Sequence, residues 1–242
     1  MKLLTIVSLL IALWTLSGCS RNPDTPLTIA AHSGNNAEVQ KLLQQGAKVV
    51  NEKDSNGLTA LMWAARSGHT EVMKSLVDAG ADMNLRDCAS NGWTALIHAV
   101  HKNQNKAVLL LIERGADVNA RAGGCKEKLA EGGSTALMYA AGYDNTEVVK
   151  ALLSKGASPY AESGGHTVLG NAIGGAWDVD RPKADKCPTE TVKALFEKAP
   201  DLKLSKDFWD RSALWFARRS GCAEVVQMVE RAEKSRQVAS AQ

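Results

Sequence analysis

The chain has 242 residues, with 29 basic side chains against 26 acidic ones and no basic run longer than a pair such as Arg218-Arg219. That excludes the concentrated cationic face that nucleic-acid binding requires. The length suits one elongated domain or two small globular ones, and five cysteines raise the question of redox compartment.

The first element is an apolar run of 14 residues, Leu3 to Leu16, behind Lys2. It is too short to span a membrane, which takes about 20 apolar residues. A positive start, an apolar middle and a small-residue end make a secretory signal. The run closes on Leu16-Ser17-Gly18-Cys19-Ser20, which resembles the bacterial lipobox. The resemblance implies that residues 1–18 are a signal peptide cut before Cys19, and that the Cys19 thiol carries a diacylglycerol, with palmitate among the implied acyl groups. The alternative is an ordinary signal peptide with an incidental cysteine. Ser20 is not the aspartate that, by the family's rule, holds a lipoprotein in the inner membrane, so the implied address is the periplasmic face of the outer membrane. Residues 19–25 then form a tether. At roughly 3.5 Å per residue it keeps the downstream fold within about 20 Å of the bilayer.

From Thr25 the chain repeats itself. Thr25-Pro26-Leu27, Thr59-Ala60-Leu61, Thr94-Ala95-Leu96, Thr135-Ala136-Leu137, Thr167-Val168-Leu169 and Ser212-Ala213-Leu214 each open a short helical pattern. A turn and a second apolar helix come next, as in Glu71 to Val77 or Glu147 to Leu153. Then comes Gly-Ala, at Gly46-Ala47, Gly80-Ala81, Gly115-Ala116 and Gly156-Ala157. The threonine suits a helix N-cap, paired alanines let neighbouring helices close up, and the glycine supplies a left-handed end to the second helix. Asn56-Gly57 and Asn91-Gly92 suit a tight turn. This pattern resembles the ankyrin repeat over six copies. It implies an all-α solenoid of helix-turn-helix modules with finger loops, spanning 26–232, in which each module is stable only against its neighbours. Residues 233–242 read as a polar, frayed tail.

Spacing between helix starts runs 34, 35, 41, 32 and 45 residues. The excess marks an expanded finger, Arg121 to Gly133, an insert between the helices of copy five, Gly174 to Pro188, and a rewritten finger, Leu202 to Asp210. With Cys19 lipidated, an even four cysteines remain, and in an exported chain they suggest two disulfides out of three possible pairings. Adjacent fingers are neighbours in the ankyrin fold, as are adjacent helix-to-helix turns. The resemblance therefore implies Cys88–Cys125 and Cys187–Cys222. A redox pair or zinc site is the alternative, but no Cys-x-x-Cys occurs.

No catalytic motif, phosphate loop or paired-carboxylate signature is present, and no cofactor or metal is expected. His98 and His101 share a helix face, yet a third ligand at suitable spacing is missing. His69 suits a structural bond within the turn. The ankyrin resemblance implies a concave binding surface of fingers and first helices. The matching positions are Trp63 and Arg66, His98, His101 and Lys102, Tyr139 and Tyr143, and Phe216 and Arg219, with Trp93 on the finger side. Of these, Arg66, His101 and Tyr143 read as surface. Trp177 and Arg181 stand in the copy-five insert as a candidate anchor, while Trp209 and Trp215 suit closure of the last module. Such aromatic, histidine and arginine ladders are the composition of binding hot spots.

The expected function is a non-catalytic protein-binding lipoprotein, monomeric on its own. It resembles immunity proteins that occlude membrane-acting toxins such as phospholipases. Two alternatives stand beside it: an accessory to a periplasmic oxidative-stress enzyme, and an enzyme with residues 174–188 as a lid.

Overall fold

Five threonines start five helices. Thr25, Thr59, Thr94, Thr135 and Thr167 each sit in extended backbone and accept a hydrogen bond from the amide three residues on, at 2.9–3.4 Å. Each such cap is worth about 1 kcal/mol. The helices they begin are α1 (Pro26–Ser33), α3 (Ala60–Ser67), α5 (Ala95–His101), α7 (Ala136–Gly142) and α9 (Val168–Gly174). A sixth first helix is α11 (Ala213–Ser220). Each pairs with a second helix: α2 (Asn36–Gln44), α4 (Thr70–Asp78), α6 (Asn105–Glu113), α8 (Thr146–Ser154), α10 (Thr189–Lys198) and α12 (Ala223–Ser240). The computed structural model describes residues 24–45, 49–87, 91–123, 133–175, 187–202 and 213–240.

First helices pack in series, α1 on α3 on α5 on α7 on α9 on α11, and second helices form a parallel series behind them. The alanine pairs explain the first layer. Ala64, Ala65, Ala99, Ala140 and Ala141 are all fully buried, and a larger side chain would push adjacent helices apart. The second layer is held by apolar residues at helical spacing, such as Val72 and Leu76, Val108 and Leu111, and Val148 and Leu152. These belong to one continuous core running the length of the stack.

Polar bonds stitch neighbouring modules. Asn51 Oδ1 accepts from the Asp82 amide, Asn84 Oδ1 from Asp117 and Asn119 Oδ1 from Ser158, at 2.8–2.9 Å. On the finger side, Lys53 Nζ donates to the Arg86 carbonyl at 2.7 Å, and Arg121 Nη1 to the Glu162 carbonyl at 2.8 Å. His69 Nε2 donates to the His32 carbonyl at 3.1 Å, so this histidine is a link between copies one and two. Among the described residues the strand pairing lies in the fingers. Lys53 pairs with Thr59 and Arg121 with Thr135. A two-residue hairpin joins β1 (Glu162–Ser163) to β2 (His166–Thr167), antiparallel across Gly164-Gly165.

Two glycine settings differ in kind. Gly80, Gly115 and Gly156 end second helices at φ 87–88° with open space where a Cβ would stand, so only backbone conformation demands them. Gly92 is also left-handed, but a Cβ there would run into the Gly123 backbone. Adjacent fingers meet at this point, where Gly123 donates its amide to the Asn91 carbonyl at 3.0 Å.

Cys187 and Cys222 are joined by a disulfide, with their Cα atoms 5.5 Å apart. It ties the entry to α10 to the turn before α12. Cys88 and Cys125 lie outside the described residues, as does Cys19. The chain end differs from expectation: α12 runs through Ser240, taking in most of the segment read as a frayed tail. No proline or glycine occurs after Gly221, and Ala, Glu, Gln, Lys and Arg all favour the helix. Among the described residues no helix is long and apolar enough to cross a membrane.

Candidate partner-binding face

Four residues beyond the cap, the first helices of copies two and three aim a side chain at the base of the finger. In copy two this is Trp63, whose Nε1 donates to Asp54 Oδ2 at 2.6 Å. The other carboxylate oxygen accepts from the amides of Asn56 and Leu58 at 2.8 and 2.9 Å. One buried aspartate therefore shapes the finger turn and fixes the aromatic ring beside it. Trp63 remains half-buried, stacked on the exposed His32 ring with centroids 4.3 Å apart, and the Arg66 guanidinium lies 5.7 Å from the indole centroid.

Copy three uses the same device with a histidine. His98 Nε2 lies 2.7 Å from Asp87 Oδ2, while Asp87 Oδ1 accepts from the amides of Asn91 and Gly92 at 3.1 and 2.8 Å. Asp87 has no exposed surface and His98 only 2 %. Burial alone would raise the Asp87 carboxyl pKa. The hydrogen bond and charge of His98, with backbone amides of the turn, outweigh it and hold the pKa below the ordinary value. Trp93 roofs this pair, buried, with its ring 5.3 Å from His98, 4.7 Å from His101 and 5.5 Å from Tyr139. His101 is buried too, its Nδ1 2.8 Å from the Tyr143 hydroxyl.

Three residues expected at the binding surface are therefore corrected. His98, His101 and Trp93 are interior, consumed by the finger aspartate and by one another, because copy three folds its finger down onto α5. Nor do the histidines converge on a metal: among the described residues no group of three or more His, Cys, Asp or Glu side chains is placed to hold one. Trp63, Arg66, Lys102, Tyr139 and Tyr143 keep partial exposure. Copy five presents nothing at the ladder position, since Asn171 is buried and donates to the Met138 carbonyl at 3.3 Å.

At the far end Phe216 is half-buried and Arg219 exposed. Trp215 does not close the last module as expected. It is 40 % exposed, edge-on to Phe216 at 5.1 Å with Arg219 5.4 Å above its ring. Ala213 and Ala217 occupy the buried stripe of α11, and a residue two positions from Ala213 is turned about 200° away from it. Trp177, Arg181 and Trp209 lie outside the described residues. Two face residues went unrecognised in the sequence. Ile29, 57 % exposed, and His32 stand four and seven places beyond Thr25, the offsets that mark Trp63 and Arg66.

Comparison with known proteins agrees with this architecture. A model of three ankyrin-repeat copies matches residues 2–87, and a single ankyrin-repeat model matches 91–122 and 132–163. Ankyrin repeat domain-containing protein 29 of Danio rerio is 46 % identical over 67 residues, which is 26 % of this chain and 22 % of that protein. The chain thus spans about a fifth of that relative. One chain of a structure of the predatory endopeptidase Bd0816 from Bdellovibrio bacteriovorus in complex with immunity protein Bd3460, a complex of two proteins, superposes with a TM-score of 0.67 at 24 % identity. That match covers 87 % of this chain and 99 % of the other. An ankyrin repeat domain from Acinetobacter baumannii AYE gives 0.70 at 24 % identity, over 86 % and 97 %. At these identities the likeness is one of fold. With the two ankyrin models together taking in well over half of the chain, and with capped helix pairs stacked in two layers, the chain belongs to the ankyrin-repeat family of protein-binding scaffolds.

Proposed function

We propose that this chain is an exported, non-catalytic lipoprotein, anchored through Cys19 at the periplasmic face of the outer membrane, whose first-helix face occludes a membrane-acting toxin such as a phospholipase. The observation that carries the binding role is the partly exposed series Trp63, Tyr139, Tyr143, Trp215 and Phe216, of which Trp63, Tyr139 and Phe216 repeat one register on α3, α7 and α11. Aromatic side chains immobilised before binding lose little entropy when a partner arrives. The lipobox-like LSGCS and a tether of about 20 Å support action at a bilayer surface. One of the structural neighbours comes from a complex of an endopeptidase with its immunity protein, which supports occlusion as the mode.

The test is co-expression of the full chain with the product of the adjacent gene, exported to the periplasm of a susceptible host. Survival, together with co-purification of the two proteins, is the expected result. Both are lost in the Trp63→Ala/Tyr139→Ala double variant, and survival alone weakens in Cys19→Ser. Neither complex nor protection with the native chain would overturn the immunity role.

A further inference from the structure

Carboxylates are sorted by layer in this molecule, whereas the second helices also carry lysines or arginines. The six first helices, α1, α3, α5, α7, α9 and α11, contain no aspartate and no glutamate. They contain arginines at 66, 218 and 219, and Lys102 caps the end of α5. Every second helix, by contrast, carries at least one carboxylate, from Glu38 in α2 to Glu224 in α12. The formal net charge is only +3, so the asymmetry is one of placement.

Three acids beside the first-helix ladder are already spent. Asp54 and Asp87 are buried and committed to Trp63, His98 and the turn amides. Asp144, in the turn after α7, accepts from Thr191 at 2.7 Å. The cations are not. Arg218 pairs with Glu230 at 3.0 Å, but Arg66, Lys102 and Arg219 have no carboxylate partner among the described residues. Arg66 and Arg219 lie instead near the rings of Trp63 and Trp215.

We propose that the first-helix face selects an acidic protein surface, one that sets carboxylates against Arg66, Lys102 and Arg219 and apolar side chains against Trp63, Tyr139 and Trp215. This rests on the reading of that face as the partner-binding surface and adds the partner's chemistry to it. Complementary charge governs approach and register, while desolvated aromatics supply most of the affinity. A polyanion fits less well. Copies four and five have Gly142 and Gly174 at the register of Arg66, which breaks any continuous cationic track of the kind a phosphate backbone needs. Anionic membranes are held by clusters of about four to eight adjacent basic residues, and no such cluster lies among the described residues of this face.

A random 12-residue peptide library displayed on phage, selected against the full purified chain, tests this. The expected binders are enriched in Asp and Glu around an aromatic or leucine. They lose about tenfold or more in affinity between about 0.05 and 0.5 M salt, as screened charge pairs do. They lose it likewise in Arg66→Gln/Lys102→Gln/Arg219→Gln, whose unchanged circular dichroism would show a native fold. Vesicles of phosphatidylglycerol and a duplex DNA form parallel arms, each scored by the difference between native and triple-Gln protein. Binders that compete with Trp63→Ala-sensitive sites but show no acidic enrichment would overturn the charge inference and leave the face intact. Binders mapping to the second-helix layer, or none at all, would overturn the face itself. A native-versus-variant difference seen only with vesicles or DNA would overturn the choice of a protein partner.

Discussion

Replacing Asp87 by alanine probes an acid with no exposed surface at the base of a finger. The substitution strips acceptors from the Asn91 and Gly92 amides and from His98 Nε2, all within 2.7–3.1 Å. Removing one partner of a buried, hydrogen-bonded pair costs about 3–5 kcal/mol, most of it the penalty for donors left dry. The loss is expected as a lower urea midpoint at unchanged slope, monitored by far-UV circular dichroism at neutral pH. Acid then gives a second handle. The folded pKa of Asp87 lies below its unfolded value, which is about 3.9 for an aspartate. Its contribution is complete above that value and drains away as pH falls through the folded pKa. The gap between native and Asp87→Ala protein should stay level from neutral pH to about 4 and close below it. A neutral-pH cost under about 1 kcal/mol, or a gap that widens in acid, would refute the reasoning.

Gly80→Ala should cost about 1–2 kcal/mol from backbone conformation alone, whereas Gly92→Ala should cost more, because its Cβ meets the Gly123 backbone; paired melting curves separate the two. Cys222→Ser opens a link across 35 residues and should cost up to about 4 kcal/mol in the chain-entropy model. Hydrogen exchange should show that cost confined to α10, α11 and α12, since modules couple only to neighbours. Ala140→Leu, at a site with no accessible surface between stacked helices, should cost about 1–3 kcal/mol by overpacking, read as a lower thermal midpoint.

The threonine caps, paired alanines and Gly-Ala ends were legible in the sequence because each satisfies a local demand, a spare amide, a close approach or a left-handed turn, that residue type alone reveals. The role of a polar side chain at a helix face was not. His98 and Trp63 occupy the same register, yet one is buried and the other partly open. The difference lies in Trp93, which roofs His98 where copy two has Leu58; Thr94 also follows Asp87 by seven positions, whereas Thr59 follows Asp54 by five. That offset also hides the equivalence of the two aspartates, which no motif marks. Trp215 illustrates a simpler error of phase: proximity to the chain end suggested closure, whereas the alanines on either side of it set the buried stripe. Ile29 and His32 escape a count along the first helix that starts only at copy two, although counting from Thr25 finds them.

The bond between Cys187 and Cys222 makes the two extremities of the rod unequal. Heat or force prying at the rear must first contend with a covalent clasp, while among the described residues at the front the joints are hydrogen bonds and packing, such as Ser75 on Asn36, His69 on His32 and Trp63 against an imidazole. Under strain the surroundings of Trp215 are therefore expected to outlast those of Ile29, His32 and Trp63, which have no such clasp among the described residues.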